Sequence, residues 1–236
     1  MNQKLSGEIK AVLFDLDGTL LEMDMKLFLR EYLNALSKSV IHLIPPKKLV
    51  PALMKASKAI ESNNGVELNE DAYAKAFFPI EGYERDDLEP LFVKFYREEF
   101  PKLQFVSKRK PSARKVVQKA INIGYDVVVA TTPLLPLVAI EERLDWAGVK
   151  DLPFKLITSY ENSHATKPNL HYYKEILEKI DRPAEACLMV GDEDKDMVAA
   201  KLGIKTFLIE SSRTQLNPDT PKPDFQGTLD DLLLML

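Results

Sequence analysis

AVLFDLDGTLLE, residues 11–22, runs four apolar residues straight into two carboxylates, a glycine and a threonine. The apolar part, extended back to Ile9 as IKAVLF, predicts a short buried strand, and DLDGT predicts the turn that ends it. Asp15 and Asp17 are two residues apart, so continued strand geometry would point both to one side. Two carboxylates that close repel each other and persist only with compensation. A cation supplies it.

Outward from this strand the chain divides by rhythm. Residues 22–106 have little strand character. Leu27, Phe28, Tyr32, Leu33 and Leu36 recur at helical spacing, and Pro45 and Pro46 break the pattern and lead into a second helix to about Ile60. Ser62-Asn63-Asn64-Gly65 predicts a turn, with helices over 69–77 and 86–99 beyond it. After Pro111 helices alternate with apolar runs. A helix over 112–123 precedes YDVVVATT, a helix over 135–147 precedes FKLITS, one over 169–180 precedes ACLMVG, and one over 194–202 precedes IKTFLI. Residues 213–227 read as a surface loop, and a last short helix starts near Thr228.

Near-continuous apolar strands alternating with helices predict an α/β fold, a Rossmann-like parallel sheet covered by helices on both faces. The helical stretch 22–106 is then an insertion after the first strand, at the carboxyl edge of the sheet where such folds bind ligands. This divides the chain into a core of residues 1–21 and 107–236 and a helical cap of residues 22–106.

The 236 residues carry a net charge of −4, which argues against nucleic acid as a main partner. No long apolar stretch precedes the aspartates, so neither a signal peptide nor a membrane span is expected, and the cytoplasm is the default location. The single cysteine, Cys187, rules out an intrachain disulfide and a cysteine zinc site. It lies in the apolar run CLMV and reads as a buried small residue.

Polar groups stand at the ends of the strands. VLF leads to Asp15 and Asp17, VVVA to Thr131 and Thr132, ITSYENSHATKP to Lys167, and LMV to Gly191, Asp192, Glu193, Asp194 and Asp196. A parallel sheet gathers these ends at one edge. Such a set suits phosphoryl transfer: hard oxygen ligands for Mg²⁺, a carboxylate nucleophile, a carboxyl acid/base and cationic or hydroxyl donors for the transferring group. Gly18 would allow a sharp turn and close backbone approach to a phosphate.

With these residues in order, the chain resembles the haloacid dehalogenase-like hydrolase superfamily, in its phosphatase branch. DLDGTLLE, the strand-terminal Thr131, Lys167 in TKPNLHYY and GDEDKDMVAA at 191–200 follow that family's motif order. The resemblance implies Asp15 as nucleophile and Asp17 as general acid/base. It implies Mg²⁺ held by Asp15, the backbone carbonyl of Asp17 and Asp192, with Asp196 ligating or orienting bound water. Thr131 and Lys167 would bind the phosphoryl group, and Gly18, Thr19, Thr132 and Glu22 are candidate substrate contacts. Glu193 stands where many relatives have a small hydroxyl residue, and Thr132 where many have asparagine. The helical insertion resembles the mobile cap that closes over the site and selects the substrate.

The expected reaction is Mg²⁺-dependent hydrolysis of a small phosphorylated metabolite. A phosphomutase, a phosphonate-cleaving enzyme with a cap lysine, and a non-catalytic phospho-ligand binder are rivals. A dehalogenase is disfavoured, because it needs neither Asp17 nor the magnesium set. His42, His164 and His171 read as surface or capping residues, Lys47, Lys48, Lys55 and Lys58 as a solvated helix face, and Phe77, Phe78 and Tyr83 as packing. Composition leaves monomer and homodimer equally open.

Overall fold

A computed structural model describes residues 8–211 and 214–236. Six parallel strands form one sheet in the order β5-β4-β1-β6-β7-β8. They are β1 (Ala11–Phe14), β4 (Asp126–Val129), β5 (Leu156–Ile157), β6 (Cys187–Gly191), β7 (Lys205–Ile209) and β8 (Phe225–Gly227). Alternate residues of the central strands serve two apolar clusters. Val12, Phe14, Val127, Val129, Leu188 and Val190 face one. Ala11, Leu13, Val128, Cys187 and Met189 face the other. This period of two is why the strands lack polar alternation: each face is covered.

One face packs against α5 (Ala113–Asn122), α6 (Leu137–Ala147) and α9 (Leu229–Met235), through residues such as Val116, Ile140 and Leu232. The other packs against α7 (Leu170–Ile180) through Tyr172, Tyr173 and Ile176. Between β1 and α5 come four helices: α1 (Met25–Val40), α2 (Pro46–Glu61), α3 (Asn69–Phe77) and α4 (Arg85–Glu98). Asp24 caps α1 by accepting from Leu27 N at 3.0 Å, and Pro46 occupies the first turn of α2, where its missing N–H costs nothing. Phe77 is buried in the core cluster with Phe78 and Tyr83 packed against it, as expected.

Several elements differ from expectation. The two connections to the helical segment pair as an antiparallel ribbon, β2 (Leu21–Met23) with β3 (Ser107–Arg109), preceded by a 3₁₀ turn over Phe100–Val106. Residues 225–227, expected in a loop, form edge strand β8 alongside β7. Three residues, one of them glycine, carry no periodic signal. Residue 213 of that loop lies outside the described residues. The expected helix over 194–202 is one α-turn, α8 (Asp194–Met197), continued as 3₁₀ over Val198–Leu202. FKLITS contributes only two strand residues, Leu156–Ile157. Among the described residues no helix is long and apolar enough to cross a membrane.

Candidate active site

Register brings the motifs together. Phe14 lies opposite Val129 on one side and Val190 on the other, so the residues that follow each strand emerge at one edge. Backbone bonds hold that edge: Asp15 N donates to Val190 O at 2.8 Å, and Ala130 N donates to Phe14 O at 2.7 Å. Lys167 arrives from the loop before α7, with its ammonium 2.7 Å from Asp15 Oδ1 and 2.5 Å from Asp196 Oδ1. Burial works against the Lys167 charge, but Asp15 and Asp196 outweigh it and hold the lysine protonated well above its ordinary range.

Carboxylate oxygens of Asp15, Asp192 and Asp196 all lie within 4.8 Å of one another. Lys167 bonds two of the three, Asp15 and Asp196. Burial, reinforced by the charges of Asp15 and Asp196, pushes the Asp192 carboxyl up to about 7. Burial likewise raises Asp196 to about 6 against the pull of Lys167. Asp196 also accepts from Glu193 N at 3.2 Å, so it caps α8 while belonging to the cluster. The backbone has made room for these groups. A Cβ on Gly18, at φ +94°, would come within 2.1 Å of Asp192 Oδ2. Hard oxygen donors, mutual repulsion and a glycine cradle fit a divalent cation.

The other expected residues are spread around this centre. The Asp17 carboxylate is not among the clustered oxygens. Its Oδ2 accepts from Arg143 Nη1, and its Oδ1 is buried with no protein partner. Burial raises the Asp17 carboxyl above its ordinary range, with Arg143 pulling the other way. Thr19, expected at the substrate, is fully buried, and its hydroxyl donates to Asp192 Oδ1 at 3.1 Å. The reason is chain direction: the turn after Gly18 carries Thr19 to the Asp192 carboxylate. Thr131 is buried, with its carbonyl accepting from the Tyr172 and Thr158 hydroxyls. The Thr132 hydroxyl is buried and without a protein partner. Glu193 pairs with Lys195 at 2.6 Å, and its carboxylate stays outside the cluster.

Above the cluster opens a cavity of about 940 Å³, lined by Asp17, Gly18, Glu22, Lys110, Asp192 and Lys195 among others. Asp15 is not among the lining residues and is 4% exposed. His164, read as a surface or capping residue, bonds Glu175 through Nδ1 at 2.8 Å.

The family model of haloacid dehalogenase-like hydrolases matches residues 9–203. The chain belongs to that family. It is 25% identical over 232 residues to the pyrophosphatase PpaX of Bacillus anthracis, covering 97% of each chain. In fold it is similar to an HAD phosphatase from Thermococcus onnurineus, at 17% identity, a TM-score of 0.59 and coverage of 95% and 96%. It is also similar to L-2-haloacid dehalogenase from Xanthobacter autotrophicus, at 14% identity, a TM-score of 0.58 and coverage of 95% and 97%.

Three residues of this haloacid dehalogenase-like hydrolase escaped the sequence reading. Lys110 lines the cavity and donates to Gly18 O; burial pulls its ammonium below the ordinary range. For Lys195, burial works against the charge, but Asp15 and Glu193 together outweigh it and raise the ammonium above its ordinary range. Neither lysine lies in a pattern that distinguishes it from solvated lysines. Arg143 did leave a signal: with Ile140, Leu144 and Ala147 it shares the apolar face of α6, where a charge needs a buried partner.

Proposed function

We propose that this hydrolase uses Mg²⁺ to hydrolyse small phosphomonoesters through an aspartyl-phosphate on Asp15. The observation that carries the reading is the cluster of Asp15, Asp192 and Asp196, with buried Lys167 bonded to Asp15 and Asp196, beside a cavity that Asp17 and Asp192 line. Asp15, Asp192 and the Asp17 carbonyl would hold the ion, with Asp196 behind them. The bound ion would neutralise charge on the carboxylates and phosphoryl oxygens.

Asp15 attacks phosphorus while the bond to the leaving oxygen breaks, and Asp17 gives that oxygen a proton. Asp17 then takes a proton from the water that opens the aspartyl-phosphate. Lys167 fixes Asp15 and, with Thr131, stabilises the transferring group. Residues 22–106 would act as a cap over the core of residues 1–21 and 107–236, and Glu22 would stand at the cavity rim.

The test is phosphate release from a panel of phosphomonoesters with and without Mg²⁺, for wild type and Asp15→Asn. Pyrophosphate belongs in the panel because the Bacillus anthracis relative is named a pyrophosphatase. Magnesium-dependent turnover that vanishes in Asp15→Asn is expected. Turnover of pyrophosphate alone would replace the monoester class. Retained activity in Asp15→Asn would sink the mechanism.

A further inference from the structure

Arg143 is 3% exposed and has one carboxylate partner, Asp17. Its Nη1 donates to Asp17 Oδ2, and its Nε makes a long bond to Ala139 O at 3.4 Å. The guanidinium carbon stands 6.0 Å from the centre of the Phe28 ring. Phe28 is itself set by Tyr32, stacked at 5.9 Å, and by Phe100, edge-on at 6.1 Å. The arginine is therefore gripped by helix α6, an aromatic ring of α1 and the carboxylate. It binds no other element of the cluster among the described residues.

The consequence falls on Asp17. One of its oxygens is occupied by an N–H donor, and the other is buried and unpartnered in a residue that lines the cavity. The guanidinium stabilises negative charge on the oxygen that accepts from it, which favours the other oxygen as the seat of the acid proton. We infer that Arg143 is a positioning residue: by tethering Asp17 Oδ2 it presents Oδ1 to the leaving oxygen of the substrate. This rests on the phosphatase reading above. As the Asp15–phosphorus bond forms and the phosphorus–leaving-oxygen bond breaks, the electron pair of the broken bond takes the Oδ1 proton. Asp17 is left anionic, beside the fixed charge of Arg143.

A positioning role through the acid differs from a merely structural one in its dependence on the leaving group. An alkoxide needs the proton as it departs, whereas p-nitrophenolate leaves without one. The experiment measures kcat/KM, which reports events up to departure of the leaving group, with β-glycerophosphate and with p-nitrophenyl phosphate. Wild type, Arg143→Met, Arg143→Lys, Asp17→Asn and the Arg143→Met/Asp17→Asn double variant are compared, each checked for folding by far-UV circular dichroism. Arg143→Met is expected to lose about 10²-fold on β-glycerophosphate, the range of a general acid, and little on p-nitrophenyl phosphate. Arg143→Lys, a point charge without the planar fork, should lose less, with the same selectivity, and it carries the test if Arg143→Met does not fold. In the Asp17→Asn background the arginine change should add nothing.

Equal losses on both esters would overturn the inference and leave the phosphatase reading standing. If folded wild type with Mg²⁺ hydrolyses neither these esters nor any other phosphomonoester of the panel, that reading fails, and this inference with it.

Discussion

Removing the ammonium of Lys167 leaves Asp15 and Asp196 buried without their counter-charge. Breaking a buried pair in this way costs about 3–5 kcal/mol, because the remaining charge is uncompensated. Lys167→Met is therefore expected to lower the denaturation midpoint strongly in chelator and to recover part of it when Mg²⁺ is added. A loss that Mg²⁺ leaves untouched would show that the ion does not share the lysine's electrostatic task. Gly18 sets a second limit at this scale. Its φ of +94° and its 2.1 Å approach to Asp192 leave no place for a methyl group. Gly18→Ala should cost about 1–3 kcal/mol in backbone strain and should abolish magnesium-dependent turnover by displacing Asp192. Wild-type activity in Gly18→Ala would mean that Asp192 can move without consequence.

Helix α7 reaches back to the segment that carries Lys167. Glu175 accepts from His164 N at 2.9 Å, from His164 Nδ1 at 2.8 Å and from Lys179 Nζ at 2.7 Å. Burial alone would raise its carboxyl, but the bonds from Lys179 and His164 outweigh it and hold the group below its ordinary value of 4.5. A carboxyl that is depressed in the folded state stabilises the fold above the unfolded value, and that contribution is lost as pH falls through the folded one. The advantage of wild type over Glu175→Gln in urea midpoint should thus persist down to about pH 5 and shrink as the pH falls below 4.5. A difference independent of pH would assign the effect to packing. The same scale shows what was readable beforehand. Strands β1, β4, β6 and β7 were legible because burial on both faces demands unbroken apolar runs. The motif residues were legible because parallel strands place their ends at one edge. β8 and the β2–β3 ribbon, each of three-residue strands, are specified by tertiary pairing and not by local pattern. Arg143 was overlooked because its meaning depends on Asp17, 126 residues away.

Across the whole molecule, one apolar cluster joins the sheet to the helical segment. It runs from Val12 and Phe14 of β1 through Trp146 of α6 to Phe100, Phe95 and Phe28. Trp146, the chain's one tryptophan, stacks on Phe100 at 5.4 Å and 14° and so reports on the junction. Shared burial of this kind couples the two regions in unfolding, since neither can expose its side of the contact alone. Tryptophan fluorescence and far-UV circular dichroism should therefore trace one superimposable denaturation curve. If the fluorescence change came first, the helical segment would be separating from the sheet before either unfolds. The proposed magnesium site sharpens the comparison, because Asp15, Asp192 and Asp196 all lie outside residues 22–106. An ion bound only by the folded state adds stability by mass action, about 2.7 kcal/mol at a hundred times its dissociation constant. In a coupled molecule that gain should move both curves together in wild type and neither in Asp192→Asn. A shift seen by circular dichroism but not by Trp146 would mean that metal at the sheet edge stabilises the core without holding the helical segment against it.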